Sequence, residues 1–228
     1  MSNLITPDAL DTLIAEGAPV RLIDVRWRLD RPDGHADYLE GHLPGAVYVA
    51  LDTDLALHGA PAEGRHPLPP HEALQAAARR WGVNDGDIVV AYDDAGSVAA
   101  ARAWWLLRRA GVDVRVLDGG LGKWVATGLP VQSGDVLVPE GNVTLGESLE
   151  GELSIDEAAA LPEHGVLLDV RVAPRYRGET EPIDPIAGHV PGAINLPAAA
   201  PIAADRTMAD AEALRAAVAI DRHALDVV

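Results

Sequence analysis

The chain repeats itself, and that repeat limits the folds open to it more than any other feature. Leu22-Ile23-Asp24-Val25-Arg26 recurs as Leu167-Leu168-Asp169-Val170-Arg171. Gly41-His42-Leu43-Pro44-Gly45-Ala46-Val47 recurs as Gly188-His189-Val190-Pro191-Gly192-Ala193-Ile194. A third match pairs Glu72-Ala73-Leu74-Gln75-Ala76-Ala77 with Glu212-Ala213-Leu214-Arg215-Ala216-Ala217. The Asp and His landmarks stand 18 residues apart in the first copy and 20 in the second, so register holds within two residues. Matches in one order along the chain predict two related domains in tandem.

Each copy opens on a helix signal. Thr6 precedes Pro7 and Asp8 and caps a helix whose apolar face is Leu10, Leu13 and Ile14. Ser154-Ile155-Asp156-Glu157 has the pattern of a capping box. A short β-branched strand then ends in Asp-Val-Arg. In the first copy 74–81 reads as a helix, 88–92 as a fully buried strand and 97–110 as a second helix. A strand over 112–117 and a short helix over 121–127 follow. Strands alternating with helices predict an α/β fold, a mainly parallel sheet flanked by helices. Residues 133–152 hold Asp135, Glu140, Glu147, Glu150 and Glu152 and no basic residue, and are expected to form an acidic linker. It divides a domain over 1–132 from one over 153–228.

The second domain is expected to be incomplete. Val227-Val228 align with Ile88-Val89, the start of the buried strand in the first copy, and residues 90–131 have no counterpart. A parallel sheet without central strands leaves apolar faces and ladder amides unpartnered.

Charge and cysteine usage exclude whole classes of function. Asp and Glu outnumber Lys and Arg by 35 to 18, a net charge of −17, which argues against nucleic acids and anionic membranes as partners. The absence of cysteine removes disulfides, thiolate metal sites and any cysteine nucleophile from these 228 residues. Residues 1–13 lack the pattern of a signal peptide, and no apolar run reaches the roughly 18 residues of a membrane span, so a soluble cytoplasmic protein is expected. Lys123 is the single lysine; any anion site must be built from arginines.

Three sets of residues are candidates for chemistry. After the strand at 88–92 comes Asp93-Asp94-Ala95-Gly96-Ser97-Val98 and then a helix, the place where open parallel sheets bind ligands. One reading makes Asp93 and Asp94 a Mg²⁺ site for phosphoryl chemistry. The other has an aspartate capping the helix and filling its amide nest; the absence of a phosphate-binding lysine favours it. Asp24 with His42, and Asp169 with His189, invite an acid/base reading. Their presence in both copies favours structure instead, with Asp24 pairing Arg26, Asp169 pairing Arg171, and the His-x-Pro-Gly stretches acting as turns. The third set, Arg175-Tyr176-Arg177-Gly178-Glu179-Thr180-Glu181-Pro182, exists in the second copy alone. It reads either as a solvated loop of Arg–Glu pairs or as an arginine gripping an anionic substrate, oriented by a carboxylate such as Glu181.

These residues resemble the rhodanese-like sulfurtransferases, in particular the tandem thiosulfate and 3-mercaptopyruvate sulfurtransferases. The likeness rests on the two repeated motifs, on Leu117-Asp118-Gly119-Gly120 and Gly128-Leu129-Pro130-Val131, and on Asn195-Leu196-Pro197. It implies two rhodanese-like domains, the first inactive with Asp93 where the active domain carries its cysteine. It also implies that Arg175 takes the substrate anion and Glu181 supports it. The implied activity moves sulfur from a small anionic donor to a thiol or cyanide through a cysteine persulfide, with no metal or organic cofactor. This chain departs from the pattern at the decisive residue, since it has no cysteine. A catalytically inactive rhodanese-like binding module is therefore the alternative.

Overall fold

The computed structural model of the chain describes residues 2–60, 63–147 and 151–218, which fall into two compact units, 1–149 with 205–207 and 150–204 with 208–228. In the first unit, strands β1 (Leu4–Ile5), β2 (Val20–Asp24), β3 (Val47–Tyr48), β4 (Ile88–Tyr92) and β5 (Asp113–Leu117) form one sheet in the order β1-β5-β4-β2-β3. Every pairing in it is parallel. Helices α1 (Pro7–Ala15), α2 (His35–Glu40), α3 (Leu51–Asp54), α4 (His71–Arg80) and α5 (Val98–Arg109) lie between the strands, and α6 (Gly120–Ala126) follows β5.

Alternation along the strands divides the core between the two sheet faces. On β4, Val89 and Ala91 face the layer made by Leu74, Ala77, Ala78 and Trp81 together with Ala99, Ala100 and Ala103 of α5. Val90 and Tyr92 face the other way, toward Leu10, Leu43, Leu117 and Trp124. Three alanines on one stripe of α5 let its backbone lie close against the sheet. Thr6 caps α1, its side chain accepting from the Ala9 amide.

The stretch expected as an acidic linker runs for most of its length along this first unit. Val143 and Leu145 are buried in the main core. Arg79 Nε donates to the Val143 carbonyl at 2.9 Å, and the Thr144 amide donates to Asp85 Oδ1 at 2.9 Å. Gly141 allows the close pass, since a Cβ there would strike the Val83 carbonyl. The apolar pair Val143 and Leu145, set between the acidic residues, is what docks the stretch.

The second unit holds α7 (Ile155–Ala160), a short 3-10 turn at Leu161–Glu163, β6 (Leu168–Asp169), α8 (Ala173–Tyr176), β7 (Ile194–Asn195) and α9 (Ala211–Val218). Ser154 and Glu157 close the expected capping box on α7. β6 pairs with β7 through Leu168↔Ile194 and Asp169↔Asn195, as β2 pairs with β3 through Ile23↔Val47 and Asp24↔Tyr48. Packing separates the two copies. Ile23, Val25 and Leu43 are fully buried, whereas Leu168, Val170 and Val190 at the matching positions are 38%, 55% and 49% exposed. An open depression of about 510 Å³ is lined by Leu167, Asp169, Arg171, Gly188, His189 and Ala193 among others. The matching residues Leu22, Leu43 and Ala46 of the first unit pack there against Val90 and Tyr92. The expected strand start at Val227-Val228 lies outside the described residues.

Candidate functional site

The repeated motifs share most of their hydrogen bonds. Asp24 accepts Arg26 Nε at 3.1 Å and Nη2 at 2.9 Å, and Arg26 continues to the carbonyls of Asp37 and Gly41. Asp169 accepts Arg171 Nε at 3.1 Å and Nη2 at 2.6 Å, and Arg171 continues to the Gly188 carbonyl. His42 donates through Nδ1 to the Tyr38 carbonyl at 2.9 Å and stacks on that ring; His189 does the same with Tyr176 at 2.7 Å. Tyr38 and Tyr176 donate to Ala46 and Ala193. Neither histidine hydrogen-bonds its motif aspartate; each is held to the tyrosine of its own copy instead.

The loop Asp93–Val98 is closed by its own first residue. Asp93 Oδ1 accepts the amides of Ala95 and Ser97, and Oδ2 those of Ala99 and Ala100, all at 2.9–3.0 Å. Gly96 and Ser97 both adopt positive φ, which turns successive amides inward. Burial pushes the Asp93 carboxyl above its ordinary range, although the four amides pull the other way. Asp94 Oδ2 meets Arg28 Nη1 at 3.2 Å. Both Asp93 oxygens are thus taken by backbone amides, and Asp94 Oδ2 by Arg28.

The second unit carries an arrangement of another kind. Arg175 donates through Nε to Glu181 Oε2 at 3.2 Å and through Nη2 to both Glu181 Oε1 at 2.8 Å and Asp184 Oδ2 at 2.9 Å. Glu181 Oε1 also accepts the amides of Ile183 at 3.1 Å and Asp184 at 3.0 Å. Arg171 Nη1 stands 3.5 Å from Glu181 Oε2. The amides and the Arg175 guanidinium hold the Glu181 carboxyl down at about 2. Arg177 pairs separately with Glu179 at 2.6 Å on the exposed side of the loop. Arg175 and Glu181 are thus brought together, and Asp184, absent from the sequence-based candidates, joins them.

Tyr38 and Tyr176 are the signal that places this loop. Asp24 precedes Tyr38 by 14 residues, but Asp169 precedes Tyr176 by only 7. Tyr38 then precedes His42 by 4, while Tyr176 precedes His189 by 13. A deletion before the tyrosine and an insertion after it nearly cancel, which hid both from a comparison of Asp-to-His spacing. Aligned on tyrosine, Arg175 occupies the position of Asp37, the residue that Arg31 grips at 2.7 Å in the first unit. Charge is reversed at this one place.

The rhodanese-like domain family matches residues 6–127. SseB of Mycobacterium tuberculosis, a protein named as a thiosulfate sulfurtransferase, is 46% identical over 230 residues, covering 98% of this chain and 79% of its own. The 3-mercaptopyruvate sulfurtransferase of Escherichia coli is 35% identical over 166 residues, 71% of this chain and 58% of its own. The crystal structure of SseA from Escherichia coli, titled a 3-mercaptopyruvate sulfotransferase, matches with a TM-score of 0.83 at 29% identity, over 95% of this chain and 82% of that one. The 3-mercaptopyruvate sulfurtransferase from Leishmania major matches with a TM-score of 0.82 at 26% identity, over 94% and 60%.

Proposed function

The chain belongs to the rhodanese-like family, and from that membership we propose that it is a sulfurtransferase chain of the thiosulfate/3-mercaptopyruvate type. Its two units are read as copies of one domain, the first inactive and the second carrying the donor site. Arg175 takes the anionic end of the donor and Glu181 orients the guanidinium. One observation supports this above the others. At the position where the first unit has Asp37, the second has Arg175, fixed by a carboxylate that is itself fixed by two amides. Such a preset fork suits a sulfonate-like or carboxylate group.

In the persulfide route a cysteine thiolate attacks the outer sulfur of thiosulfate. The S–S bond breaks and sulfite leaves with the electron pair. An acceptor thiolate or cyanide then attacks the terminal sulfur, and the cysteine leaves as thiolate. No cysteine lies among these 228 residues, so the nucleophile of such a route is not one of them. That same absence favours a second reading, an inactive rhodanese-like module that recognises an anionic partner through Arg175.

Thiocyanate formation from thiosulfate and cyanide tests the proposal. The 228-residue polypeptide is expected to give none, and turnover by it alone overturns the persulfide assignment. The gene read downstream of codon 228 separates the two readings: a cysteine opening a glycine- and serine/threonine-rich loop supports the transferase, a stop codon the binding module. In a cysteine-bearing protein, Arg175→Ala is expected to raise KM for the donor. An unchanged KM returns Arg175 to a structural role.

A further inference from the structure

Arg175 sits inside a chain of alternating charge, Asp169–Arg171–Glu181–Arg175–Asp184, in which every neighbouring pair is within 3.5 Å. The chain has three carboxylates and two guanidiniums, so an added anion meets no surplus positive charge. Binding at Arg175 requires that one carboxylate give way. The members differ in how far solvent reaches them. Glu181 has a side chain only 5% exposed, two guanidiniums and two backbone amides. Asp184 is 39% exposed and meets Arg175 through one oxygen at Nη2, an atom already shared with Glu181. Solvent compensates an exposed carboxylate that lets go far better than a buried one.

Resting on the reading of Arg175 as the anion-binding residue, we infer that Asp184 is an internal competitor for its guanidinium, displaced by the donor while Glu181 stays in place. Donor affinity is then set by an exchange of one anion for another on Nη2. A site so arranged rejects badly shaped anions, because each must displace a tethered carboxylate before it gains anything. The Asp184 backbone amide, which donates to Glu181, is untouched by the exchange. Asp184 is thus a specificity residue of the loop, separable from the support of Arg175.

Thiosulfate titrated into the 228-residue chain at fixed ionic strength, followed by calorimetry and by the Arg175 Nε–H resonance, tests this. Asp184→Asn and Asp184→Ala both keep the backbone amide and are expected to tighten binding about fivefold. Glu179→Gln removes the same charge from the Arg177 pair and is expected to leave affinity within about twofold. Arg175→Ala is expected to abolish binding. Parallel titrations with 3-mercaptopyruvate distinguish the two donor anions, and the inference requires the gain for at least one. Loss of binding in Arg175→Ala with no gain in either Asp184 variant overturns the competitor role and leaves the anion site standing. An equal gain in Glu179→Gln overturns it too, by assigning the effect to the general field. Undiminished binding in Arg175→Ala, or no saturable binding in any variant, overturns the anion site and the inference together.

Discussion

Asp24 and Asp169 make the same ion pair, each with the arginine two residues further on, yet their carboxyls shift in opposite directions. Burial pushes Asp24 up to about 6 against the pull of Arg26. Asp169, only partly enclosed, is lowered by its bonds to Arg171. Identical motifs therefore differ electrostatically because one is sealed under Tyr92 and a central strand and the other is only partly enclosed.

A pH dependence specific to the first unit follows. Asp24 binds its proton more tightly folded, near 6, than unfolded, near 3.8. Its contribution to stability is fully present below about 3.8 and is lost as pH rises through about 6. The gap between those two values corresponds to about 3 kcal/mol. Asp24→Asn mimics the protonated group at all pH values. Urea unfolding at pH 4 and pH 7 should thus show wild type losing about this much relative to the variant. A difference that does not change with pH refutes the burial account.

Glu181 has the opposite sign. Its carboxyl is held at about 2, below the ordinary 4.5. The stabilisation of the arginine loop is present above about 4.5 and lost as pH falls through about 2. Carboxyl-carbon NMR should place the Glu181 midpoint well below those of the exposed glutamates. Arg175→Ala should move it toward 4.5, leaving a residual depression from the amides of Ile183 and Asp184. A midpoint unmoved by that substitution means that the guanidinium does not hold Glu181.

Four amides converge on Asp93, and removing their acceptor tests whether the carboxylate is what shapes the loop. Asp93→Ala strands the amides of Ala95, Ser97, Ala99 and Ala100. The expected cost is about 3 kcal/mol, and about half that for Asp93→Asn, which retains one acceptor oxygen. Hydrogen exchange at Ala99 and Ala100 should accelerate in parallel. A loss below about 0.5 kcal/mol means that water serves the nest as well as the carboxylate does.

Much of the first unit was legible because its signals are local. Thr6 at a helix start and the β-branched run Ile88–Tyr92 each mark an element without outside help, and observed bounds fall within a few residues of expectation. Asp93 was legible too, since a strand running into an aspartate before a helix leaves a nest to fill. Val143 and Leu145 were not, because two apolar residues at alternate positions gain meaning only from the surface they meet. Asp184 was missed for a related reason: its link to Arg175 spans nine residues of irregular backbone, where no periodicity operates. Tyr38 and Tyr176 were visible letters whose significance needed their hydrogen bonds to Ala46 and Ala193.

Truncating matched residues of the two copies measures how far equal sequence implies equal packing. Ile23 is fully buried in the main core of the first unit, and Ile23→Ala should cost about 3–4 kcal/mol through transfer and cavity terms. Leu168 occupies the same place beside its partner strand, with β6 opposite Ile194, but 38% of it meets solvent. Leu168→Ala removes less buried area and leaves a notch rather than a cavity, so about 1 kcal/mol is expected. Denaturation of both variants, followed by tryptophan fluorescence for the first unit and by backbone exchange for the second, checks the contrast. Equal costs mean that the face of β6 is covered in solution, which implies that another polypeptide segment closes this copy's core.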